Sequence, residues 1–173
     1  MSLADAIKQS IRTIPDFPKK GVLFRDITPL LSDGTKFRRC IDWFASLPSE
    51  KPDYVISIES RGFIFGSAFA CKIGAGFVPV RKEGKLTHQT FRMPYQLEYG
   101  EAALEIHADA MEKGKRAVII DDVLATGGTA QATIKLVEKF GVEASGVYFL
   151  IELVGLCGRQ KLKDYPVHSL ISY

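Results

Sequence analysis

Two adjacent carboxylates, Asp121 and Asp122, stand just before a run of small and hydroxyl residues, Ala125, Thr126, Gly127, Gly128 and Thr129. A glycine-containing loop that opens a helix leaves several backbone N–H groups unpaired and aimed at one point, which suits a phosphate. Carboxylates would repel that phosphate unless they face another part of the same ligand. Sugar hydroxyls, which donate to carboxylates, or a bound Mg²⁺ are the groups that fit. A ribose 5-phosphate carries both a diol and a phosphate and satisfies both halves. Either feature alone occurs in α/β proteins for helix capping or tight turns. Their adjacency points to a ligand.

A second anion loop is legible at Glu59, Ser60, Arg61 and Gly62. Arg61 can make bidentate bonds to phosphate oxygens, although a lone arginine at a strand end is also a common surface ion-pair former. Arg81, Lys82 and Lys85 gather around Gly84, either as a solvated basic turn or as neutralising charge beside a diphosphate. One loop would take a phosphate and the other a diphosphate.

These residues need strands to bring them together. Ala117 to Ile120 is a short apolar run rich in β-branched residues, expected to be a strand buried on both faces at a sheet's centre and to stop at the two carboxylates. Tyr54 to Ile58 and Phe77 to Val80 read as further core strands, each emptying into a charged, glycine-bearing turn, and Phe63 to Ile73 as a helix between them. In an open parallel sheet the ligand crevice lies at the C-terminal ends of the strands, so the loops converge there. Leu3, Ile7 and Ile11 have helical spacing, and Pro15 and Pro18 are expected to end that helix. Pro15 to Gly21 is a connector into a brief strand, V-L-F-R-D. Asp33 is the expected N-cap of a helix burying Phe37, Cys40, Ile41 and Phe44. Leu86 to Gly100 lacks helical period and Ala102 to His107 alternates, which reads as a hairpin excursion of the kind that forms lids. Ile134, Val137 and Phe140 mark the core stripe of the helix after the central loop, with Gly141 at its C′ position. Val147 to Leu153 is a buried strand whose Glu152 must reach the crevice or a local hydrogen bond. A short helix, Leu156 to Leu162, and a last strand, Val167 to Ile171, follow. His88, His107 and His168 read as single structural or surface residues.

The chain has 173 residues, 46% of them hydrophobic, and a formal charge of +3. That is one domain with a substantial core. Basic and acidic residues are interspersed, which argues against nucleic-acid binding. No apolar run is long enough for a membrane span and no secretory signal is visible, so a cytoplasmic protein is expected. Cys40, Cys71 and Cys157 form no C-x-x-C pair and read as reduced packing residues. A Walker-type nucleotidase is excluded because G-x-x-x-x-G-K-[ST] does not occur.

The stretch A-V-I-I-D-D-V-L-A-T-G-G-T-A, Ala117 to Ala130, resembles the phosphoribosyl diphosphate binding motif of the type I phosphoribosyltransferases. Its Asp-Asp form is similar to the branch that uses adenine. The resemblance extends to P-D-F-P-K-K-G-V-L-F-R-D at Pro15 to Asp26, L-E-Y-G at Leu97 to Gly100, and L-x-G-R at Leu156 to Arg159. It departs at Thr87, where many relatives have proline. It implies the type I phosphoribosyltransferase fold, a central, mostly parallel sheet flanked by helices, in a single domain over 1–173. A hood would span about 1–35 and a flexible hairpin lid about 82–107. The implied reaction transfers ribose 5-phosphate from phosphoribosyl diphosphate to adenine, forming AMP and diphosphate, in a homodimer that acts on no nucleic acid or membrane. Asp121, Asp122 and Ala125 to Thr129 would hold the ribose 5-phosphate. Glu59, Ser60, Arg61, Gly62, Arg81, Lys82 and Lys85 would hold the diphosphate, Lys85 reaching across a subunit interface and the Glu59–Ser60 peptide being cis. Leu23 and Arg25 would offer backbone groups to adenine with Phe24 packing nearby, and Glu98 would be the base. Mg²⁺ would ride chiefly on substrate oxygens and waters, without a protein ligand set. A non-catalytic phosphoribosyl diphosphate sensor would need a nucleic-acid-reading module, and a receiver-like domain would lack the second anion loop. Neither fits.

Overall fold

A computed structural model describes residues 2–96 and 101–173. Its core is a seven-stranded sheet in the order β5-β6-β4-β3-β7-β8-β9. The strands are β3 (Tyr54–Ile58), β4 (Gly76–Lys82), β5 (Thr90–Gln96), β6 (Glu101–His107), β7 (Arg116–Leu124), β8 (Glu143–Glu152) and β9 (Val167–Ser172). β4, β3, β7, β8 and β9 run parallel to their neighbours, whereas β6 pairs antiparallel with both β4 and β5. β5 and β6 are the hairpin read from the alternating A-A-L-E-I-H. β7 is interior, one place from the middle that β3 occupies.

Helices cover both faces. α5 (Gly128–Glu138) packs on one, where Ile134, Leu136 and Val137 meet Ile56, Ile119, Val147 and Phe149. On the other lie α1 (Leu3–Lys8), α2 (Thr28–Ser32), α3 (Gly34–Ala45) and α4 (Gly62–Ile73), whose Ile7, Leu30, Phe44, Phe65 and Phe69 bury against Val55, Val118, Ile120 and Leu150. These two apolar layers explain why β3 and β7 lack an alternating polar pattern: water reaches neither face. Asp33 caps α3 as expected, accepting from the Thr35 and Lys36 N–H groups. Among the described residues no helix is long and apolar enough to cross a membrane.

Several expectations are corrected. α1 stops at Lys8, well before the prolines, because Arg12–Pro15 is taken up as β1, which pairs antiparallel with β2 (Leu23–Asp26). Pro15 is tolerated there because a two-stranded ribbon is all edge. β7 does not stop at the carboxylates but continues to Leu124, since β8 stays hydrogen-bonded to it through Leu124 and Glu152. The segment after β8 forms two 3₁₀ turns, Val154–Leu156 and Gly158–Leu162, separated by Cys157 at φ +53°. α5 ends at Glu138, and Gly141, at φ +67°, lies beyond the C′ position. His88 and His107 are not isolated, their rings lying 6.3 Å apart at the hairpin's base. Cys71 and Cys157 are exposed rather than packed, and only Cys40 is buried, with burial pushing its thiol up to about 12.

Candidate active site

The crevice arises from unequal strand lengths. β3 leaves β7 at the Ser57–Ile120 pair and turns into Glu59–Arg61, while β7 runs on beside β8. Asp121 and Asp122 therefore sit on strand backbone whose β3 side is open. Two helices start beside that opening. α4 begins at Gly62 and α5 at Gly128, and neither has a side chain capping its first turn. By contrast, α1 is capped by Ser2 and α3 by Asp33. Both helices turn the positive ends of their dipoles to the crevice. Among the described residues the Gly128, Thr129 and Ala130 N–H groups of α5 have no backbone partner, whereas at α4 the Phe63 and Ile64 N–H groups donate to the Ser60 and Arg61 carbonyls. Close packing needs glycine here. A Cβ on Gly62 would lie 2.7 Å from Asp121 Oδ1, so α4 can press against the carboxylate only without one.

The carboxylate pair is short of donors. Asp121 Oδ1 accepts from the Asp122 N–H at 2.8 Å. Arg61 Nη2 lies 2.7 Å from Asp122 Oδ2, an ion-pair distance, but its N–H is not aligned, and among the described residues that buried oxygen has no directed hydrogen bond. Burial pushes both carboxyls above the usual range; at Asp121 the charge of Asp122 adds to this, and at both Arg61 opposes it. One guanidinium for two carboxylates leaves the pair wanting further donors or a cation.

On the other wall, the nearly buried Glu59 carboxylate holds Arg81 Nε at 2.7 Å and Lys85 Nζ at 3.4 Å. Burial works against its ionisation, but these cations keep its carboxyl below the usual range. Within the single chain Lys85 is therefore bound to its own Glu59. The Glu59–Ser60 peptide is cis, as the resemblance implies. Glu59, Ser60, Arg61, Lys82, Asp121, Asp122 and Thr129 line one cleft of about 350 Å³. Asp121 and Thr129 also border a smaller pocket of about 60 Å³ walled by Ala125, Thr126 and Gly127. That is several times the ~10–15 Å³ that a single water needs, room for a larger group such as a phosphate.

Leu23, Phe24 and Arg25 on β2 line neither cavity but connect to the site through Arg61. Arg61 Nη1 approaches the Arg25 carbonyl at 3.4 Å, and its guanidinium lies 5.0 Å from the Phe24 ring centroid. Arg81 stands behind Glu59 rather than in the cleft, and Gly128 faces Tyr95 and Gln96 of β5. Glu98 lies outside the described residues. Sequence reasoning missed Tyr95 and Leu104, which line the cleft from the hairpin, and Phe149, which borders the phosphate-sized pocket. Leu104 lay in the alternating pattern that marked the strand, whereas nothing in local spacing singles out Tyr95 or Phe149. Among the described residues no group of three or more His, Cys, Asp or Glu could hold a metal ion.

Known proteins resemble this chain in sequence and fold. A family profile described as a phosphoribosyl transferase domain matches residues 31–170. An adenine phosphoribosyltransferase of Thermotoga neapolitana is 55% identical over 96% of this chain and 99% of its own. The crystal structure of adenine phosphoribosyltransferase from Thermoanaerobacter pseudethanolicus superposes with a TM-score of 0.95 at 50% identity, covering 98% of this chain and 99% of that one. The Saccharomyces cerevisiae enzyme, solved with an imino-altritol bisphosphate and adenine, gives 0.92 at 40% identity, covering 97% and 98%. Full-length likeness at this identity, joined to the paired carboxylates and the two uncapped helix starts, shows that the chain belongs to the phosphoribosyltransferase family and, within it, to the adenine phosphoribosyltransferases.

Proposed function

We propose that this chain transfers the ribose 5-phosphate group from phosphoribosyl diphosphate to adenine, forming AMP and diphosphate in purine salvage. The observation that carries the reading is the buried Asp121–Asp122 pair, with Asp122 Oδ2 facing Arg61, between the starts of α4 and α5, neither of which has a side-chain cap. The 5-phosphate belongs in the small pocket at Ala125 to Thr129, the ribose hydroxyls donate to Asp121 and Asp122, and the diphosphate lies in the larger cleft against Ser60, Arg61, Gly62 and Lys82. As the bond from the anomeric carbon to diphosphate breaks, positive charge grows on the sugar and negative charge on the leaving group. Catalysis is then chiefly positioning and fixed electrostatics. Arg61 and Lys82 oppose the leaving group's charge directly. Glu59 acts through Arg81 and Lys85, which it holds in place. Glu98 is assigned the purine proton.

Mg²⁺ takes oxygen ligands and keeps several waters, and it would ride on substrate oxygens, with the Asp pair as nearby negative charge rather than as a ligand set. These residues fit an ion held mainly by substrate oxygens, where it would neutralise diphosphate charge. The hood over about 1–35 covers the base, with one edge of β2 lacking a strand partner among the described residues; the stretch over about 82–107 is the lid. The working form is taken to be a cytoplasmic homodimer, and the free thiols suit a reducing compartment. Incubation with phosphoribosyl diphosphate, Mg²⁺ and each nucleobase in turn tests the function. Diphosphate release with adenine is expected; release with no base would refute the reading.

A further inference from the structure

The small pocket's loop leans on a distant part of the chain. A Cβ on Gly158 would lie 2.2 Å from the Ala125 carbonyl oxygen and 2.9 Å from the Gly127 nitrogen, and one on Gly127 would lie 2.5 Å from the Gly158 carbonyl oxygen. Two backbones are therefore in direct contact, and both partners are main-chain atoms that cannot rotate aside. Gly158 opens the second 3₁₀ turn, and the next residue, Arg159, anchors it. Arg159 Nε and Nη2 donate to the two Glu152 carboxylate oxygens at 2.9 and 2.5 Å, while Nη1 donates to the Val167 carbonyl at 2.7 Å. The planar guanidinium fork fixes this geometry in a way that an ammonium would not.

Glu152 is the last residue of β8, and it pairs with Leu124, the last residue of β7, which immediately precedes Ala125. The contacts thus close a circuit, from the end of β7 into the loop, across to Gly158, through Arg159 to Glu152, and back to β7. Only 12% of the Glu152 side chain is exposed, and Arg159 holds its carboxyl below the usual range. Glu152 is therefore spent on this local pair rather than on the crevice.

We infer that Gly158, anchored by the Glu152–Arg159 pair, is a positioning element that sets the shape of the Ala125–Thr129 loop and hence phosphate affinity, without touching the ligand. The inference rests on the proposed function only for the identity of the anion. A pair that merely fastened β8 to β9 would affect stability alone.

Ribose 5-phosphate binding, measured by calorimetry on the full chain, tests it apart from catalysis. Ordinary contact begins near 3.4 Å, so Gly158→Ala must part the two backbones by about 1 Å, a displacement of the kind that costs up to ~100-fold. The expected result is a 10- to 100-fold weaker ribose 5-phosphate Kd, with a matching rise in the KM for phosphoribosyl diphosphate and an adenine KM within about twofold of the parent. Arg159→Lys should show the same selectivity at roughly 3- to 10-fold, and it decides the matter if Gly158→Ala does not fold. Unchanged ribose 5-phosphate affinity in a folded variant, or equal changes for both substrates, would overturn the inference. A parent protein that binds ribose 5-phosphate but transfers nothing to adenine would refute the proposed function and leave the positioning role standing. A parent that binds none would refute both.

Discussion

Replacing Asp121 with asparagine should make the ligand-free protein more stable while removing its activity. The substitution is isosteric, so the tight approach to Gly62 survives and Oδ1 can still accept from the Asp122 N–H. What changes is charge: two adjoining carboxylates share one guanidinium, that of Arg61. Because burial, and then Asp122, raise the Asp121 carboxyl well above the ordinary carboxylate range, the native state holds this proton more tightly than the unfolded chain does. The associated stability is present below about pH 4 and is lost as pH rises through the raised native value. Once the pH is high enough to ionise both carboxyls the protein carries the cost of two charged neighbours, and relieving it is worth on the order of 1–3 kcal/mol. For a chain of this size each 1 kcal/mol moves Tm by about 2–4 °C. Thermal unfolding followed across alkaline to acid pH should therefore show a rise of about 2–12 °C at the alkaline end, shrinking toward pH 4 as the parent protonates. A Tm that falls, or a gain independent of pH, would refute this reasoning, because the pair would then be adequately compensated without ligand.

Three further outcomes follow from the proposed roles. Glu98→Gln should lower kcat by ~10²–10⁴ with little change in the KM for phosphoribosyl diphosphate, as expected of a group that moves a proton only in the transition state; equal, small effects on both would make it a lid residue without chemistry. Lys85→Ala should weaken diphosphate binding and, mixed with an Arg61→Ala variant, regain part of its activity if Lys85 serves the neighbouring subunit; an active monomer or no change in binding would count against that role. Adenine should outcompete hypoxanthine by ~10²–10⁴ if the Leu23 carbonyl and Arg25 N–H read the purine edge, since each mismatched buried group costs about 1–3 kcal/mol; comparable turnover would mean that other residues contact the base.

Much of the site was legible because its chemistry sits in contiguous stretches. Asp121 to Thr129 and Glu59 to Gly62 each announce a strand, a turn and a helix start, and the parallel-sheet rule brings them together. What was hidden depends on pairings far apart in the chain. That β7 outlasts the carboxylates follows from β8 still being bonded to it at Leu124, which the apolar run ending at Ile120 does not reveal. Pro15 reads as a helix stop, yet β2 recruits its neighbours into a strand. Glu59 and Glu152 look like isolated acids; their partners, Arg81, Lys85 and Arg159, become visible only once strand ends converge. Gly158 stands out only as part of the L-x-G-R resemblance, and its physical reason, the carbonyl of Ala125, lies 33 positions earlier in the chain.

The central claim is that one molecule of phosphoribosyl diphosphate spans the starts of α4 and α5 with its sugar on the carboxylate pair. A crystal structure with a non-reactive phosphoribosyl diphosphate analogue, Mg²⁺ and adenine measures this directly. The account predicts the 5-phosphate on the Ala125–Thr129 amides, the 2- and 3-hydroxyls on Asp121 and Asp122, the diphosphate against Ser60 to Gly62, and adenine at Leu23 and Arg25. A sugar turned away from Asp121 and Asp122, or a phosphate bound at only one of the two helix starts, would contradict it.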